Sequence, residues 1–521
     1  MADEFTRGKT YRSLDEQLER LTPSEERFER RRRTIGLFLG PVLGILFLLL
    51  PLGLTPPQQS LAAIMIFTIV YWLTEAIPIP VTAIVAMSLC VLLGVASVDD
   101  VFEAFGSPTL FVFIGAFIIA EAMTTHGLDR RFAFRVLSLP GVSGSTYGVI
   151  ITFGAIAAGL SAFISNTAAA AMLLPIGLGM MNALSGLIMD RTGESDPTRL
   201  RFGTALMLMI AYGASVGGLI TPIGSPPNLI GIGFIEEQTD TTISFFEWTV
   251  TALPIVAVMF VALCVILIAL NRPEIHKIPG AADYIADERA KLGKMSTGGR
   301  NTLIVFFLAV LFWILPGLVN LIFGEDSAIY TALSDRLDEG VVAILAAGLL
   351  FILPINWRER RFTLNWNQAV SIDWGTILLF GGGIVLGSLL DDTGLAQRIG
   401  EGMVNALGVS SLLSITILSV VIAVLISETT SNTASAAVVV PIVIPIAVAA
   451  GVSPVIPAIA ATFGASYGFM LPVSTPPNAI VYGSGLIPIT KMLRSGVVFD
   501  FVGMILVVVG VSLMAQVVGI V

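Results

Sequence analysis

The chain has 521 residues, of which 55% are hydrophobic and only 12% are charged, and its formal net charge at pH 7 is −9. Because soluble domains carry about 25% charged residues, this composition excludes a water-soluble globular protein and indicates that much of the surface faces lipid. The two cysteines, Cys90 and Cys264, both lie in apolar stretches and indicate neither a disulfide framework nor a metal site.

The apolar stretches predict an all-α polytopic membrane protein. A charged segment, residues 1–34, comes first, and residues 35–58 hold an initial span. A helix needs about 20 mostly apolar residues to cross a bilayer. On this criterion the predicted spans, eleven in all, lie near residues 35–54, 60–78, 82–96, 109–124, 203–234, 249–270, 302–323, 340–354, 374–390, 455–485 and 498–520.

Two further apolar stretches, 147–188 and 411–450, are each broken near the middle by a polar cluster. Each is either two complete spans or one hairpin that enters and leaves by the same side. Charge fits both arrangements, because all but two of the 28 Lys and Arg residues then lie on the cytoplasmic side, as the positive-inside rule requires. A polar tip is better buried in the middle of the membrane than placed at its far surface, so we predict two re-entrant hairpins.

Four motifs recur in the same order in the two halves of the chain. The matched pairs are 113–115 with 380–382, Ser165-Asn166-Thr167 with Ser431-Asn432-Thr433, 213–215 with 464–466, and Ser225-Pro226-Pro227-Asn228 with Thr475-Pro476-Pro477-Asn478. The predicted organisation is a first repeat at 59–271 with hairpin 147–188, a cytoplasmic linker at 272–301, and a second repeat at 302–521 with hairpin 411–450. Because the two hairpins enter from opposite sides, the repeats are inverted, as in many secondary transporters.

Each repeat contains two polar breaks, one at its hairpin tip and one at its Pro-Pro-Asn turn. Lipid satisfies no backbone group, so such breaks must be buried in protein or line a cavity. Ser, Thr and Asn are favoured N-caps, and the helices that begin after the breaks direct amide groups and a positive dipole end toward them. The preceding helix ends present carbonyl oxygens, which suit sodium.

None of the four breaks contains Lys or Arg, so a bound anion needs helix ends, hydroxyls and co-bound cations. Ser161 and Ser165, like Ser427 and Ser431, are spaced as neighbours on one helix face. Glu428, the one carboxylate in a tip, is either a functional group or a structural hydrogen-bond acceptor.

The two Ser-Asn-Thr tips, the two Pro-Pro-Asn turns and the Thr74-Glu75-Ala76-Ile77-Pro78 segment resemble the divalent anion/sodium symporter family, which includes dicarboxylate, citrate and sulfate carriers. The resemblance runs from about residue 35 onward. It implies a homodimer in the bilayer, in which each protomer has a scaffold domain and a transport domain that moves like an elevator.

The resemblance also implies the site residues. One sodium site would use Ser161, Ser165, Asn166 and Gly224, and the other Ser427, Thr430, Asn432 and Ser474. The substrate would contact Asn166, Thr167, Ser225 and Pro226 from one repeat, and Asn432, Thr433, Thr475 and Pro476 from the other.

The resulting hypothesis is sodium-coupled symport of a C4-dicarboxylate such as succinate, malate or fumarate. Sulfate or citrate symport and sodium-independent dicarboxylate exchange remain alternatives. An enzyme is not expected, because the tip serines have no His or Lys partner, and no nucleic-acid partner is expected. The protein is predicted to lie in the plasma membrane, with its N-terminus cytoplasmic and its C-terminus extracellular.

Overall fold

The computed structural model describes residues 23–519, except 143, 193–199, 240, 275–279, 325 and 409. Most of the predicted N-terminal segment, residues 1–22, therefore lies outside the described residues, as does part of the predicted linker. The described chain is almost entirely helical, with one short β-hairpin.

The helices of the first half include several that end or begin at the polar breaks of the sequence. They are α1 (Pro23–Leu49), α2 (Pro56–Thr74), α3 (Ile79–Leu92), α4 (Val98–Glu103), α5 (Pro108–Thr125), α6 (Leu128–Leu137), α7 (Thr146–Ser161), α8 (Asn166–Thr192), α9 (Arg201–Gly217), α10 (Pro226–Thr239) and α11 (Phe245–Leu270). A 3-10 turn, Pro222–Gly224, lies between α9 and α10.

The second half repeats this order after a connecting helix. Its helices are α12 (Ala281–Lys291), α13 (Thr297–Phe323), α14 (Ala328–Ser334), α15 (Glu339–Ile352), α16 (Trp366–Ala369), α17 (Trp374–Asp392), α18 (Leu395–Leu407), α19 (Leu412–Thr429), α20 (Asn432–Ala449), α21 (Val455–Ala465), α22 (Pro476–Tyr482) and α23 (Ile489–Val518). The strands β1 (Pro354–Asn356) and β2 (Arg361–Phe362) pair antiparallel between α15 and α16.

Eight helices among the described residues are long and apolar enough to cross a membrane, namely α1 from Arg27 onward, α5, α11, α13, α17, α19, α20 and α23. Five shorter apolar helices accompany them: α3, α7, α8 as far as Met181, α15 and α21. These criteria concern length and composition, so the count of eleven spans with two re-entrant hairpins stays a prediction.

The same helix pairs meet in both halves. Helix α7 packs along α9, and α19 packs along α21. The approach of α7 to α9 is backbone to backbone, because a Cβ on Gly217 would lie 2.1 Å from the Cα of Ala158. Such small-residue contacts are typical of helix packing in membranes, where van der Waals contact rather than hydrophobic burial holds helices together.

The two halves also interlock. Helix α3 packs on α17, α5 on α15, α10 on α20 and α21, and α22 on α8 and α9. The hydroxyl of Tyr212 on α9 donates to the carbonyl of Phe469, 2.5 Å away in the other half. The polar breaks of each half are therefore covered by helices of the other.

Candidate functional site

The tip of the first hairpin is a short turn between two helices. Helix α7 ends at Ser161 and α8 begins at Asn166. The Ser165 hydroxyl accepts a hydrogen bond from the amide of Ala168 at 3.2 Å. Ser165 therefore caps α8, and the remaining free amides of the first turn of α8 are available at the tip.

The tip of the second hairpin has the same construction. Helix α19 ends at Thr429 and α20 begins at Asn432. The Ser431 hydroxyl accepts from the amide of Ala434, again at 3.2 Å. The two Ser-Asn-Thr motifs thus perform the same local task, which is to stop one helix and cap the next.

This construction corrects the expected spacing of the tip serines. Ser161 and Ser165 do not share one helix face, because Ser161 is the last residue of α7 while Ser165 lies outside it and caps α8. Likewise, Ser427 lies within α19, whereas Ser431 caps α20. The physical reason is that a serine hydroxyl bonded to a first-turn amide starts a new helix rather than continuing the old one.

One amide side chain joins the two ends of the first Pro-Pro-Asn turn. After α9 ends at Gly217, the chain turns until α10 begins at Pro226. The buried Asn228 side chain donates to the carbonyls of Gly218 and Thr221, both at 2.8 Å. These bonds join the start of α10 to the end of α9 and keep the segment between them in a fixed loop.

The second Pro-Pro-Asn turn repeats these bonds. Asn478 donates to the carbonyls of Gly468 and Leu471 at 2.9 and 3.0 Å. Helix α21 ends at Ala465, ten residues before the motif begins at Thr475. The irregular segment is longer than the motif because the asparagine reaches back ten residues to bond the carbonyl of a glycine.

In the first half, the tip and the turn meet around the Asn166 side chain. In the orientation that satisfies its neighbours, the amide nitrogen donates to the Ser161 hydroxyl at 2.5 Å and to the carbonyls of Gly224 and Ala214 at 3.3 Å. A Cβ on Gly224 would lie 2.5 Å from the Gly218 carbonyl and 2.9 Å from the Ser161 carbonyl. Hydroxyl, amide and carbonyl oxygens are therefore crowded together at this point.

In the second half, the same arrangement forms around Asn432. The Ser427 hydroxyl lies 2.7 Å from the Asn432 side-chain oxygen, and the Asn432 nitrogen donates to the Ser466 carbonyl at 3.4 Å. A Cβ on Gly468 would contact Ser474 Cβ at 3.0 Å, Ser427 Oγ at 3.1 Å and Asn432 Oδ1 at 3.2 Å. Three of the expected second-site residues thus converge on Gly468.

Some of the expected sodium ligands have hydroxyls that form hydrogen bonds elsewhere in the protein. Ser165 caps α8, the Thr430 hydroxyl donates to the Ile426 carbonyl at 2.8 Å, and the Ser474 hydroxyl donates to the Glu428 carboxylate at 2.9 Å. Each of these hydroxyl oxygens keeps a lone pair for an ion. Of the expected substrate residues, Thr167, Ser225, Thr433 and Thr475 are buried, Asn166, Asn432 and Pro226 are partly exposed, and Pro476 is exposed.

Sequence reasoning missed Gly218 and Gly468. Their lack of a side chain admits Asn166 in the first half and Ser427, Asn432 and Ser474 in the second. The two glycines stand 250 residues apart, the offset that relates the two Pro-Pro-Asn turns. This shared offset was the feature of the sequence that could have identified the two glycines.

The Glu428 carboxylate acts as a hydrogen-bond acceptor. Its oxygens accept from the amides of Phe469 at 2.5 Å and Met470 at 2.9 Å, and the Ser474 hydroxyl lies 2.9 Å away. Glu428 therefore joins the second hairpin tip to the second turn. In the first half, the Thr221 hydroxyl donates to the Ala162 carbonyl and makes the corresponding link without a carboxylate.

Comparison with known proteins identifies the family. Residues 33–521 match the family described as "Sodium:sulfate symporter transmembrane region". The chain is 33% identical over 479 residues to the sodium-dependent dicarboxylate transporter SdcS of Staphylococcus saprophyticus, covering 91% of this chain and 90% of the relative. It is 32% identical over 478 residues to SdcS of Staphylococcus aureus strain USA300, covering 91% and 89%.

Among solved structures, the chain is similar to that of the YdaH transporter of Alcanivorax borkumensis, described as having an unusual topology. The TM-score is 0.49 at 12% sequence identity, over 80% of this chain and 87% of that one.

The family match covers nearly the whole chain and includes both hairpin tips and both turns. The chain belongs to the sodium:sulfate symporter family, that is, to the divalent anion/sodium symporters.

Proposed function

We propose that this protein is a secondary transporter that carries a C4-dicarboxylate together with sodium. Two relatives that match over about nine-tenths of both chains are named sodium-dependent dicarboxylate transporters. The observation that carries the proposal is the oxygen cluster that occurs twice, once around Asn166 and once around Asn432. Two clusters of this kind supply two cation sites beside one anion site.

Sodium is a hard cation that takes oxygen ligands, and each cluster offers them. Around Asn166, the hydroxyl of Ser161 and the carbonyls of Ala214 and Gly224 surround the end of the amide. Without an ion, the amide nitrogen satisfies these oxygens. With sodium present, the amide turns by half a rotation, so that its oxygen joins the others as a ligand. The same reasoning assigns Ser427, Asn432 and Ser474 to the second ion.

The dicarboxylate lies between the two units in this proposal. Helices α8 and α20 begin at Asn166 and Asn432, and α10 and α22 begin at Pro226 and Pro476. Helix α22 packs on α8, and α10 packs on α20, so helices that begin at breaks of different halves lie side by side. Each carboxylate of the substrate then meets helix amides and hydroxyls, while sodium offsets its charge.

The proposal includes an elevator mechanism in a homodimer, with the two repeats inverted and the C-terminus extracellular. The recurrence of matched helix pairs and bonds in the two halves supports the repeat. In this mechanism α1 and α2 belong to the scaffold, while the hairpins and the Pro-Pro-Asn turns move together with the substrate between them.

The test is uptake of radiolabelled succinate into proteoliposomes that contain the purified protein, with and without an inward sodium gradient. Accumulation that requires sodium is the expected result. Uptake only into vesicles preloaded with dicarboxylate would indicate an exchanger. Because the matched family is described as sodium:sulfate symporters, sodium-driven uptake of sulfate but not succinate would reassign the substrate.

A further inference from the structure

An aspartate on the last helix lies buried without a well-formed hydrogen bond. Asp500, on α23, is only 1% exposed, and the polar groups that interact with its carboxylate are the Glu428 carboxylate and the Phe469 backbone. A buried carboxylate normally has a hydrogen-bonded or charged partner, because its desolvation is costly. An ionisable residue within a membrane helix is a functional candidate for the same reason.

The packing of α23 shows what Asp500 faces. A Cβ on Gly496, one turn earlier, would lie 2.4 Å from the Phe469 carbonyl, and a Cβ on Gly503 would lie 1.9 Å from the ring of Tyr467. Both glycines share a helix face with Asp500. That face therefore lies directly on the segment 467–470, which is the irregular part of the second turn.

The same segment binds Glu428, whose carboxylate accepts hydrogen bonds from the amides of Phe469 and Met470. The carboxylates of Glu428 and Asp500 interact electrostatically. The hydroxyl of Tyr467, which interacts electrostatically with Asp500, is fully buried and also has no hydrogen-bond partner. Two carboxylates and a hydroxyl are thus gathered in the interior.

No cationic side chain balances this pair in the described part of the chain. The interactions of Asp500 involve Glu428 and Phe469, and those of the nearby Tyr212 involve Asp500 and Glu428. Arg32, on α1, lies beside the end of α19, the helix that carries Glu428. Its guanidinium donates to the Thr429 carbonyl at 2.8 Å and forms ion pairs with Glu29 and Glu75 rather than with the buried carboxylates.

The first half of the chain folds the same way without these charges. Trp248 packs on Phe463 as Phe499 packs on Tyr212, so α11 and α23 correspond at Trp248 and Phe499. The residue that corresponds to Asp500 is then Thr249.

The Ser-Asn-Thr motifs place Ala162 opposite Glu428 at an offset of 266 residues. The corresponding helices of the first half therefore pack without either carboxylate. In the second half Glu428 joins the hairpin tip to the turn, whereas Asp500 has no comparable bond, which points to a ligand beside the pair.

We propose that the carboxylates of Glu428 and Asp500, together with the hydroxyl of Tyr467, bind a further sodium ion in the second half of the chain. Carboxylate and hydroxyl oxygens are suitable ligands for a hard cation, and one monovalent ion offsets one of the two buried charges. This inference rests on the proposed sodium-coupled function and adds a third ion to the two of that proposal. Through Glu428, the ion is linked to Ser474 of the second site.

The test is equilibrium binding of radioactive sodium to the purified protein in the absence of dicarboxylate. The wild type should bind three ions per protomer and the Asp500→Asn variant two, since asparagine keeps the shape of the side chain and removes its charge. Thr249→Val is the matched control, because it changes the corresponding position of the first half. It should bind three ions.

A second variant tests the proposal in case Asp500→Asn does not fold. Tyr467→Phe keeps the ring that packs on Phe499 at 5.7 Å and removes only the buried hydroxyl. It should lower the apparent sodium affinity severalfold. Unchanged sodium affinity in folded Tyr467→Phe overturns the proposal, and so does an unchanged ion count in folded Asp500→Asn.

Two other outcomes separate this proposal from the proposed function. If Asp500→Asn keeps its sodium count but loses a component of uptake that is driven by a pH gradient, the carboxylates share a proton and the third sodium is wrong. If wild-type uptake does not depend on sodium at all, the sodium-coupled function itself fails, whatever the variant does.

Discussion

The side chains of Asn166 and Asn432 each connect a hairpin tip to a Pro-Pro-Asn turn, and in our proposal they contact both an ion and the substrate. We expect Asn166→Ala and Asn432→Ala each to lower succinate uptake by about 10- to 100-fold, because one interaction with a charged group contributes about 1.5–3 kcal/mol. Uptake assays on reconstituted variants measure the effect. Gel filtration should show that both variants remain folded, and retained uptake in both would contradict the site assignment.

Gly218 gives a sharper test, because its effect is steric. A Cβ there would lie 2.3 Å from the end of the Asn166 side-chain amide, so Gly218→Ala must displace that side chain. We expect loss of most transport and weaker activation by sodium. Gly348→Ala is the control, since a Cβ at Gly348 meets nothing within 4 Å. Equal sodium activation curves for the two variants would show that the Asn166 position is not part of the first ion site.

The residues at the site differ in how far the sequence could predict them. Ser165 and Ser431 were predictable as caps, because their residue type and position before an apolar helix have a local cause. Gly218 and Asp500 were not singled out. Their importance depends on which chain segment lies against them in three dimensions, and no local pattern encodes that neighbour.

At the level of the helices, one asparagine makes two buried hydrogen bonds in each irregular turn. Asn228→Ala removes two buried hydrogen bonds and leaves the carbonyls of Gly218 and Thr221 without their partner. Each unsatisfied group costs about 1–3 kcal/mol, so we expect a lower melting temperature in detergent and a loss of transport. Asn478→Ala should behave alike. Asn367→Ala, at an exposed position, should leave the melting temperature unchanged.

Helix boundaries were less predictable than helix identities. The composition predicts the apolar helices, and the motif offsets pair the halves. However, α21 stops at Ala465 although the next residues carry no proline until Pro472. The stop follows from the bonds that Asn478 and Glu428 make to the segment 468–471, which are tertiary contacts.

At the level of the whole protein, the contact of Arg32 with the Thr429 carbonyl joins α1 to the tip of the second hairpin. In an elevator mechanism the hairpin moves relative to α1, so this contact must break in each cycle. We expect a reducible bifunctional thiol crosslinker, about as long as an arginine side chain, to stop transport when it joins cysteines at positions 32 and 429, in a background with Cys90 and Cys264 replaced by serine. Reduction should restore uptake to the level of the single-cysteine variants. Full transport with the crosslink formed would rule out this relative motion.

The interlocking of the halves also bears on how the protein is made. The carbonyl of Phe469 that accepts from Tyr212, and the helices that cover α8 and α9, are synthesised more than 200 residues after the first hairpin. At ordinary translation rates this interval is on the order of tens of seconds. With the re-entrant hairpin that we predict, the nascent chain keeps a polar break inside the membrane without its final cover throughout this interval. We therefore expect the insertion machinery or a chaperone to shield the first half until the second half is made.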